Sequence, residues 1–122
     1  MSRILVVDDD RAVRVLLKSI LVKDSHEVIE SSDGSSALVA AREERPDLIL
    51  LDLMLPDYNG LEVLSGLKED SDLEVIPVIV LTGSSDRQSK LTALSSGAVD
   101  FISKPFMSEE VLLRVNTQLK LH

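Results

Sequence analysis

"ILVVDDD", residues 4–10, sets four apolar residues directly against three aspartates. The apolar run has the composition of a buried β-strand, and the aspartates stand where that strand would end. Asp10 is explained as the N-cap of a following helix, because an aspartate carboxylate in that position accepts a backbone N–H. One cap needs one carboxylate, so Asp8 and Asp9 require another explanation.

The pattern of this stretch, a strand at residues 4–7 followed by a helix, recurs along the whole chain. After the aspartates, apolar residues follow the spacing of one helix face, at Val13, Leu16, Leu17, Ile20 and Leu21. Short apolar runs predict further strands over residues 26–30, 48–51, 78–81 and 99–102. Helices are predicted over residues 33–44 and 60–68, from a capping box at Ser85 and Gln88 to Gly97, and from about residue 109.

Alternating strands and helices predict a parallel sheet with helices on both faces. The first, third and fourth predicted strands are continuously apolar, as expected of central strands that are covered on both sides. The second and fifth contain Glu27, Glu30 and Asp100, which suits the edges of a sheet. The predicted fold class is α/β, a doubly wound five-stranded parallel sheet compatible with the strand order 2-1-3-4-5.

Composition limits the kinds of protein this chain can be. Its 122 residues are the size of one domain, so residues 1–122 are predicted to form a single unit. Lys and Arg number 13 against 21 Asp and Glu, a net charge of −8, and this predicts no direct nucleic-acid binding. We expect a cytoplasmic protein without membrane contact, because the sequence has no cysteine, no recognisable signal peptide and no apolar run of membrane-spanning length.

Polar residues follow four of the predicted strands: Asp8 and Asp9, Asp52, Thr82 and Lys104. Because the carboxyl ends of parallel strands meet at one edge of a sheet, we expect these side chains to lie together. Three converging carboxylates repel one another unless a cation or a proton intervenes. Mg²⁺ is the natural cation, since it prefers carboxylates together with a phosphate oxygen.

Four motifs make the chain resemble the receiver domains of two-component response regulators, which have a flavodoxin-like (βα)5 fold. They are "ILVVDDD" (residues 4–10), "LILLDLMLPDYNG" (48–60), "VIVLTGSSD" (78–86) and "GAVDFISKPF" (97–106). The resemblance covers the whole chain. It implies that the protein is not an enzyme in the ordinary sense, since a receiver catalyses only its own phosphorylation and dephosphorylation.

The resemblance also implies roles for single residues. Asp52 would accept a phosphoryl group from a sensor histidine kinase or phosphotransfer protein, and Asp9, Asp52 and the carbonyl of Met54 would hold Mg²⁺. Asp8 would assist through water. Thr82 and Lys104 would bind phosphoryl oxygens, and the bond from Lys104 to Pro105 would be cis.

A phosphorylation-dependent switch is implied as well. Thr82 would move toward the phosphoryl group and Phe101 would rotate, although many receivers have tyrosine at this second position. The affected face would be helix 4, strand 5 and helix 5, used for a homodimer or an output domain, with charged candidates Arg87, Lys90, Asp100, Glu110 and Arg114. Met54 and Ser84 occupy positions that tune phosphoryl lifetime in the family. His26 and His122 are expected on the solvated surface.

Two alternatives belong to other classes. Residues 8–10 contain the D-x-D of haloacid-dehalogenase-like phosphatases, with Asp8 as the nucleophile and Asp10 as the general acid. Ala12 departs from that family's pattern, no later acidic pair is found, and Asp52 would have no role. A receiver-shaped interaction module that works without phosphorylation is the other alternative, but the acceptor, metal and lysine residues are all present.

Overall fold

A computed structural model describes residues 2–57, 59–83 and 87–121 of the chain. Five parallel strands form one sheet: Arg3–Val7 (β1), Glu27–Ser31 (β2), Leu48–Asp52 (β3), Val78–Gly83 (β4) and Asp100–Lys104 (β5). Five helices alternate with them: Arg11–Lys23 (α1), Gly34–Glu44 (α2), Gly60–Glu69 (α3), Arg87–Ser95 (α4) and Ser108–Leu121 (α5). The strand order is β2-β1-β3-β4-β5, which confirms the predicted fold class and the predicted edge strands.

The central strands are apolar on both faces because each face is covered by helices. Alternate residues of β1, β3 and β4 point to opposite sides of the sheet. One set packs with buried residues of α2, α3 and α4, including Ala37, Val63, Leu64 and Ala93. The other packs with α1 and α5, including Leu17, Leu21, Val111 and Val115. None of the helices, among the described residues, is long and apolar enough to cross a membrane.

Three strands continue past their apolar runs into polar residues. β3 includes Asp52, β4 includes Thr82 and Gly83, and β5 includes Ser103 and Lys104. Backbone pairing between β4 and β5 continues through these polar ends, since Thr82 pairs with Ser103 and Gly83 with Lys104. The strands therefore extend further than the apolar runs predict, at the carboxyl edge of the sheet where the polar side chains lie.

Local signals in the sequence fix where the helices begin. Asp10 caps α1 and accepts the N–H of Ala12 at 2.9 Å, which confirms its predicted role. Asp33 and Asn59 cap α2 and α3 in the same way. Ser84, Ser85 and His122 lie outside the described residues, so the predicted capping box stays a prediction.

Two expectations about individual side chains were wrong. Leu16, assigned to the inward face of α1, is 46% exposed, because the buried stripe of that helix is narrower and runs through Leu17, Ile20 and Leu21. The side chain of His26 is only 9% exposed rather than solvated. α5 packs beside α1, and Asn116 of α5 places its Oδ1 atom 3.0 Å from Nε2 of His26.

Candidate functional site

Three carboxylates converge at the carboxyl edge of the sheet. Asp8 and Asp9 follow β1, and Asp52 ends β3, which pairs with β1 through Val7 and Leu51. One oxygen from each of the three carboxylates lies within 4.8 Å of the others. Asp8 is fully buried and Asp52 is 3% exposed, whereas Asp9 is exposed. The cluster therefore opens to solvent on the side of Asp9.

Lys104 extends from the end of β5 into this cluster. Its Nζ atom lies 2.9 Å from Oδ2 of Asp8 and 3.5 Å from Oδ2 of Asp52. Burial of the ammonium lowers its pKa, but the hydrogen bond to Asp8 and the charge of Asp52 outweigh burial and raise it overall. Lys104 is therefore positively charged at neutral pH and faces both carboxylates. The peptide bond from Lys104 to Pro105 is cis.

Asp52 retains a proton more readily than an ordinary aspartate. Burial is the largest cause, and with the charge of Asp8 it raises the pKa of Asp52 to about 6, against the opposing effects of the Met54 N–H and Lys104. The Met54 N–H donates to Oδ1 of Asp52 at 3.1 Å. Burial of the carboxylate is therefore the main cause of its raised pKa.

The donor set of this cluster fits a hard divalent cation. All its candidate ligands are carboxylate oxygens, with one member exposed, and Mg²⁺ takes oxygen ligands while retaining several waters. Three carboxylates converge here and two of them pair with Lys104, so a further cation would reduce the repulsion among them. Asp8, Asp9 and Asp52 are thus suited to hold Mg²⁺.

Thr82 lies beside the acidic cluster at the end of β4 and is 3% exposed. Its Oγ1 atom has no hydrogen-bond partner among the described residues, although a buried hydroxyl normally has one. A cavity of about 80 Å³ adjoins it, lined by Leu53, Met54, Asn59, Leu61, Thr82, Gly83 and Ser89. Within the described residues, this hydroxyl can therefore bind another group without breaking an existing hydrogen bond.

Phe101 lies partly buried on β5 between two cations. Nζ of Lys90 is 4.9 Å from the ring centroid, and Cζ of Arg114 is 5.9 Å from it. Arg114 also pairs with Asp100 at 2.9 Å. Three of the five charged residues predicted for this face thus form one cluster around the Phe101 ring.

Two residues, Arg14 and Asp57, make contacts that the sequence did not predict. Nη1 of Arg14 donates to the carbonyl of Asp8 at 2.7 Å, and its Nε donates to Glu30 at 3.2 Å. A cation in the first turns of a helix opposes the helix dipole, and this was the available signal for an anionic partner. The second residue, Asp57, accepts hydrogen bonds from Gly34 and Ser35, and its sequence position in a loop gave no signal.

Known proteins share this sequence and this fold. The chain matches the family described as Response regulator receiver domain over residues 4–116. It is 43% identical over 119 residues to the DNA-binding response regulator MtrA of Mycolicibacterium smegmatis, covering 98% of this chain and 51% of MtrA. It is 40% identical to the Bacillus subtilis alkaline phosphatase synthesis transcriptional regulatory protein PhoP, covering 98% of this chain and 49% of PhoP.

Solved structures agree with the sequence matches. The receiver domain of NtrX from Brucella abortus superposes with a TM-score of 0.92 at 33% identity, covering 98% of this chain and 99% of that one. Chemotaxis protein CheY4 of Vibrio cholerae superposes with a TM-score of 0.87 at 28% identity, covering 98% of each chain.

The relatives also bear on the expectation that the protein does not bind nucleic acid. This chain spans about half the length of the curated relatives it matches, and MtrA is named a DNA-binding regulator. The expectation drawn from the charge of 122 residues therefore conflicts with the relatives and does not extend to a longer protein. The family match and the identity to MtrA cover almost the whole chain, and the chain belongs to the response regulator receiver domain family.

Proposed function

We propose that the protein is a phosphoacceptor receiver that takes a phosphoryl group on Asp52 with the help of Mg²⁺. One observation carries the proposal: a buried carboxylate, Asp52, has two further carboxylates within 4.8 Å and an ammonium at 3.5 Å. Phosphoryl transfer depends on positioning and on neutralising charge at the phosphoryl oxygens, and this arrangement offers both. Within this proposal, residues 1–122 act as one receiver unit.

In the proposed step, one carboxylate oxygen of Asp52 attacks the phosphorus of a phosphohistidine. A P–O bond forms as the N–P bond breaks, and the departing imidazole keeps the electron pair and takes up a proton from solvent. The product is an acyl phosphate. With a pKa of about 6, most Asp52 is ionised at pH 7.5, and the ionised carboxylate is the nucleophile.

Mg²⁺ would be held by Asp9, Asp52 and the carbonyl of Met54, with Asp8 acting through water. When bound, Mg²⁺ neutralises charge on the transferred phosphoryl oxygens. Lys104 supplies the second positive charge and already lies between Asp8 and Asp52.

Oγ1 of Thr82 has no hydrogen-bond partner within the described part of the chain, and this supports the proposal that Thr82 responds to the phosphoryl group. Hydrogen bonding to a phosphoryl oxygen would satisfy Oγ1 and draw the side chain toward Asp52. Phe101 would then rotate into the space that Thr82 leaves. The face of α4, β5 and α5 would change with it, since Lys90 and Arg114 surround the Phe101 ring.

The proposed partners dock on two surfaces. Ala12, Val15 and Leu16 form an exposed apolar patch on α1, beside the acidic cluster, where a sensor histidine kinase or phosphotransfer protein would bind. The α4, β5 and α5 face exposes Leu91 and Leu113 and would form a homodimer or contact an output domain. DNA contact, as in the name of MtrA, would belong to an output domain. A cytoplasmic location stays a prediction from the sequence.

The cap of α1 argues against the phosphatase alternative. That scheme requires Asp10 as the general acid, whereas Asp10 is exposed and caps α1 by accepting the N–H of Ala12. The scheme also leaves the buried carboxylate of Asp52 without a role. An interaction module without phosphorylation would leave the buried charge cluster without a purpose.

Intact-mass measurement tests the proposal. Wild type and Asp52→Asn are incubated with acetyl phosphate, with Mg²⁺ or with EDTA. The wild type should gain the mass of one phosphoryl group only with Mg²⁺, and Asp52→Asn should gain none. Equal labelling of both proteins, or labelling that persists in EDTA, would contradict the proposal.

A further inference from the structure

The first turn of α2 is held by a carboxylate from another part of the chain. A helix leaves its first N–H groups without partners inside the helix, and here two carboxylates supply them. The N-cap Asp33 accepts the N–H of Ser36 at 2.8 Å. Asp57, from the loop between β3 and α3, accepts the N–H groups of Gly34 at 2.7 Å and Ser35 at 3.0 Å.

The hydroxyl of Ser35 also donates to Asp57, at 3.0 Å. These hydrogen bonds lower the pKa of Asp57, with the Gly34 N–H as the largest cause. Asp57 is therefore charged at neutral pH, and a negative charge at a helix N-terminus is favoured by the helix dipole. Asp57 therefore caps α2 together with the local N-cap Asp33, and it does so from a different segment of the chain.

The loop that carries Asp57 also carries Met54, whose carbonyl is a proposed metal ligand. The loop is closed at its base, where the N–H of Gly60 donates to the carbonyl of Leu53 at 2.8 Å. A Cβ atom on Gly60 would lie 2.4 Å from Cα of Leu53 and 2.5 Å from the carbonyl oxygen of Asp52, so this closure requires glycine.

The described part of the loop holds Met54 at two points. Its N–H donates to Asp52, and it forms an isolated bridge with Asn59 at the start of α3. Asp57 connects the loop to a separate rigid element, since α2 is anchored in the core by the buried residues Ala37 and Ala41. The loop is thus held between the end of β3 and the start of α2.

We propose that Asp57 is a positioning residue for the metal site. By holding the β3–α3 loop against α2, it sets the direction of the Met54 carbonyl and so the affinity for Mg²⁺. The inference rests on the proposed function, because it assumes that Mg²⁺ binds beside Asp52. It adds a residue whose side chain contacts neither the phosphoryl group nor the metal.

Asp33 offers a matched control. Both aspartates cap the same helix, and replacing either by alanine removes one negative charge and weakens the start of α2. Of these two aspartates, Asp57 is the one that connects α2 to the loop of Met54. A loss of Mg²⁺ affinity that arises only from lower stability or lower charge should therefore appear in both variants.

The experiment titrates wild type, Asp57→Ala, Asp57→Asn and Asp33→Ala with MgCl₂ and follows the amide shifts of Asp9, Asp52 and Met54. Thermal unfolding in EDTA records the stability of each variant. Asp57→Ala should weaken Mg²⁺ binding by roughly tenfold, the lower end of the effect of removing groups that orient metal ligands. Asp57→Asn should lose less, because its amide oxygen still accepts an N–H, and Asp33→Ala should bind as wild type does.

Equal Mg²⁺ affinity in wild type and both Asp57 variants would overturn the inference and leave the proposed function intact. An equal loss in Asp33→Ala and Asp57→Ala would also overturn it, because the effect would then come from α2. If the wild type itself does not respond to Mg²⁺, the proposed function and the inference both fail. Should Asp57→Ala not fold, the comparison of Asp57→Asn with Asp33→Ala decides in the same way.

Discussion

Asp52 is subject to two opposing requirements. Its burial disfavours the charged form, whereas the proposed phosphoryl transfer requires that form. The sequence predicted this residue because an aspartate among leucines is rare without a partner. Its immediate partner Lys104 was predicted too, since both lie at strand ends. Arg14 and Asp57 were not predicted as part of the site, because their contacts depend on neighbouring elements rather than on local pattern.

The pH dependence of stability tests the environment of Asp52. Its pKa is raised from 3.8 to about 6 in the folded protein without metal. The folded state therefore binds the proton more tightly, and the resulting stability is present below pH 3.8 and is lost as the pH rises through about 6. Asp52→Asn lacks this titration. Its stability relative to wild type should rise between pH 4 and pH 7.5, by on the order of 1–3 kcal/mol.

Urea unfolding of both proteins in EDTA, at intervals across this pH range, measures the difference in free energy. Other titrating groups are common to both proteins and largely cancel. A difference that stays constant with pH, or that shrinks as the pH rises, would show that Asp52 has no raised pKa. Millimolar Mg²⁺ should reduce the pH dependence of the wild type, because a bound cation favours the ionised carboxylate.

The site residues come together because the carboxyl ends of parallel strands lie at one edge of the sheet. Sequence pattern was sufficient to predict every strand and helix, since apolar runs and helical spacing alternate cleanly. It missed the polar ends of β4 and β5, where backbone pairing continues without apolar side chains. It also misjudged His26 and Leu16, because their exposure depends on how α1 and α5 pack against the sheet and each other.

The α4, β5 and α5 elements are expected to respond to the phosphoryl group through Thr82. Beryllofluoride, a phosphoryl mimic, should shift the amide resonances of residues 87–115 in the wild type. Thr82→Ala should shift less in this region while retaining the shifts around Asp9 and Asp52, because the hydroxyl that reaches the phosphoryl group is missing. Such a change biases an existing equilibrium between two conformations.

Two outcomes of the beryllofluoride experiment would contradict this switch. Shifts confined to the acidic cluster in the wild type would show that the face of α4, β5 and α5 does not respond, and this would leave the proposal of phosphorylation intact. Equal shifts across residues 87–115 in wild type and Thr82→Ala would show that Thr82 does not transmit the change.

Across the whole molecule, the acidic cluster lies at the carboxyl ends of the strands. The two surfaces proposed for partners are the exposed apolar patch on α1 and the face of α4, β5 and α5. Family membership follows from the matched residues 4–116, and the relatives extend to about twice the length of this chain. What a longer protein does with the signal therefore depends on residues beyond these.

Identification of the modified residue tests the proposal that Asp52 accepts the phosphoryl group. The wild type is treated with acetyl phosphate and Mg²⁺, and borohydride then reduces the acyl phosphate to an alcohol, which converts the modified aspartate into homoserine. Peptide mass spectrometry locates that residue. We expect homoserine at position 52 and unmodified aspartates at positions 8 and 9. Homoserine at position 8, or its absence from position 52 in labelled protein, would show that Asp52 is not the acceptor.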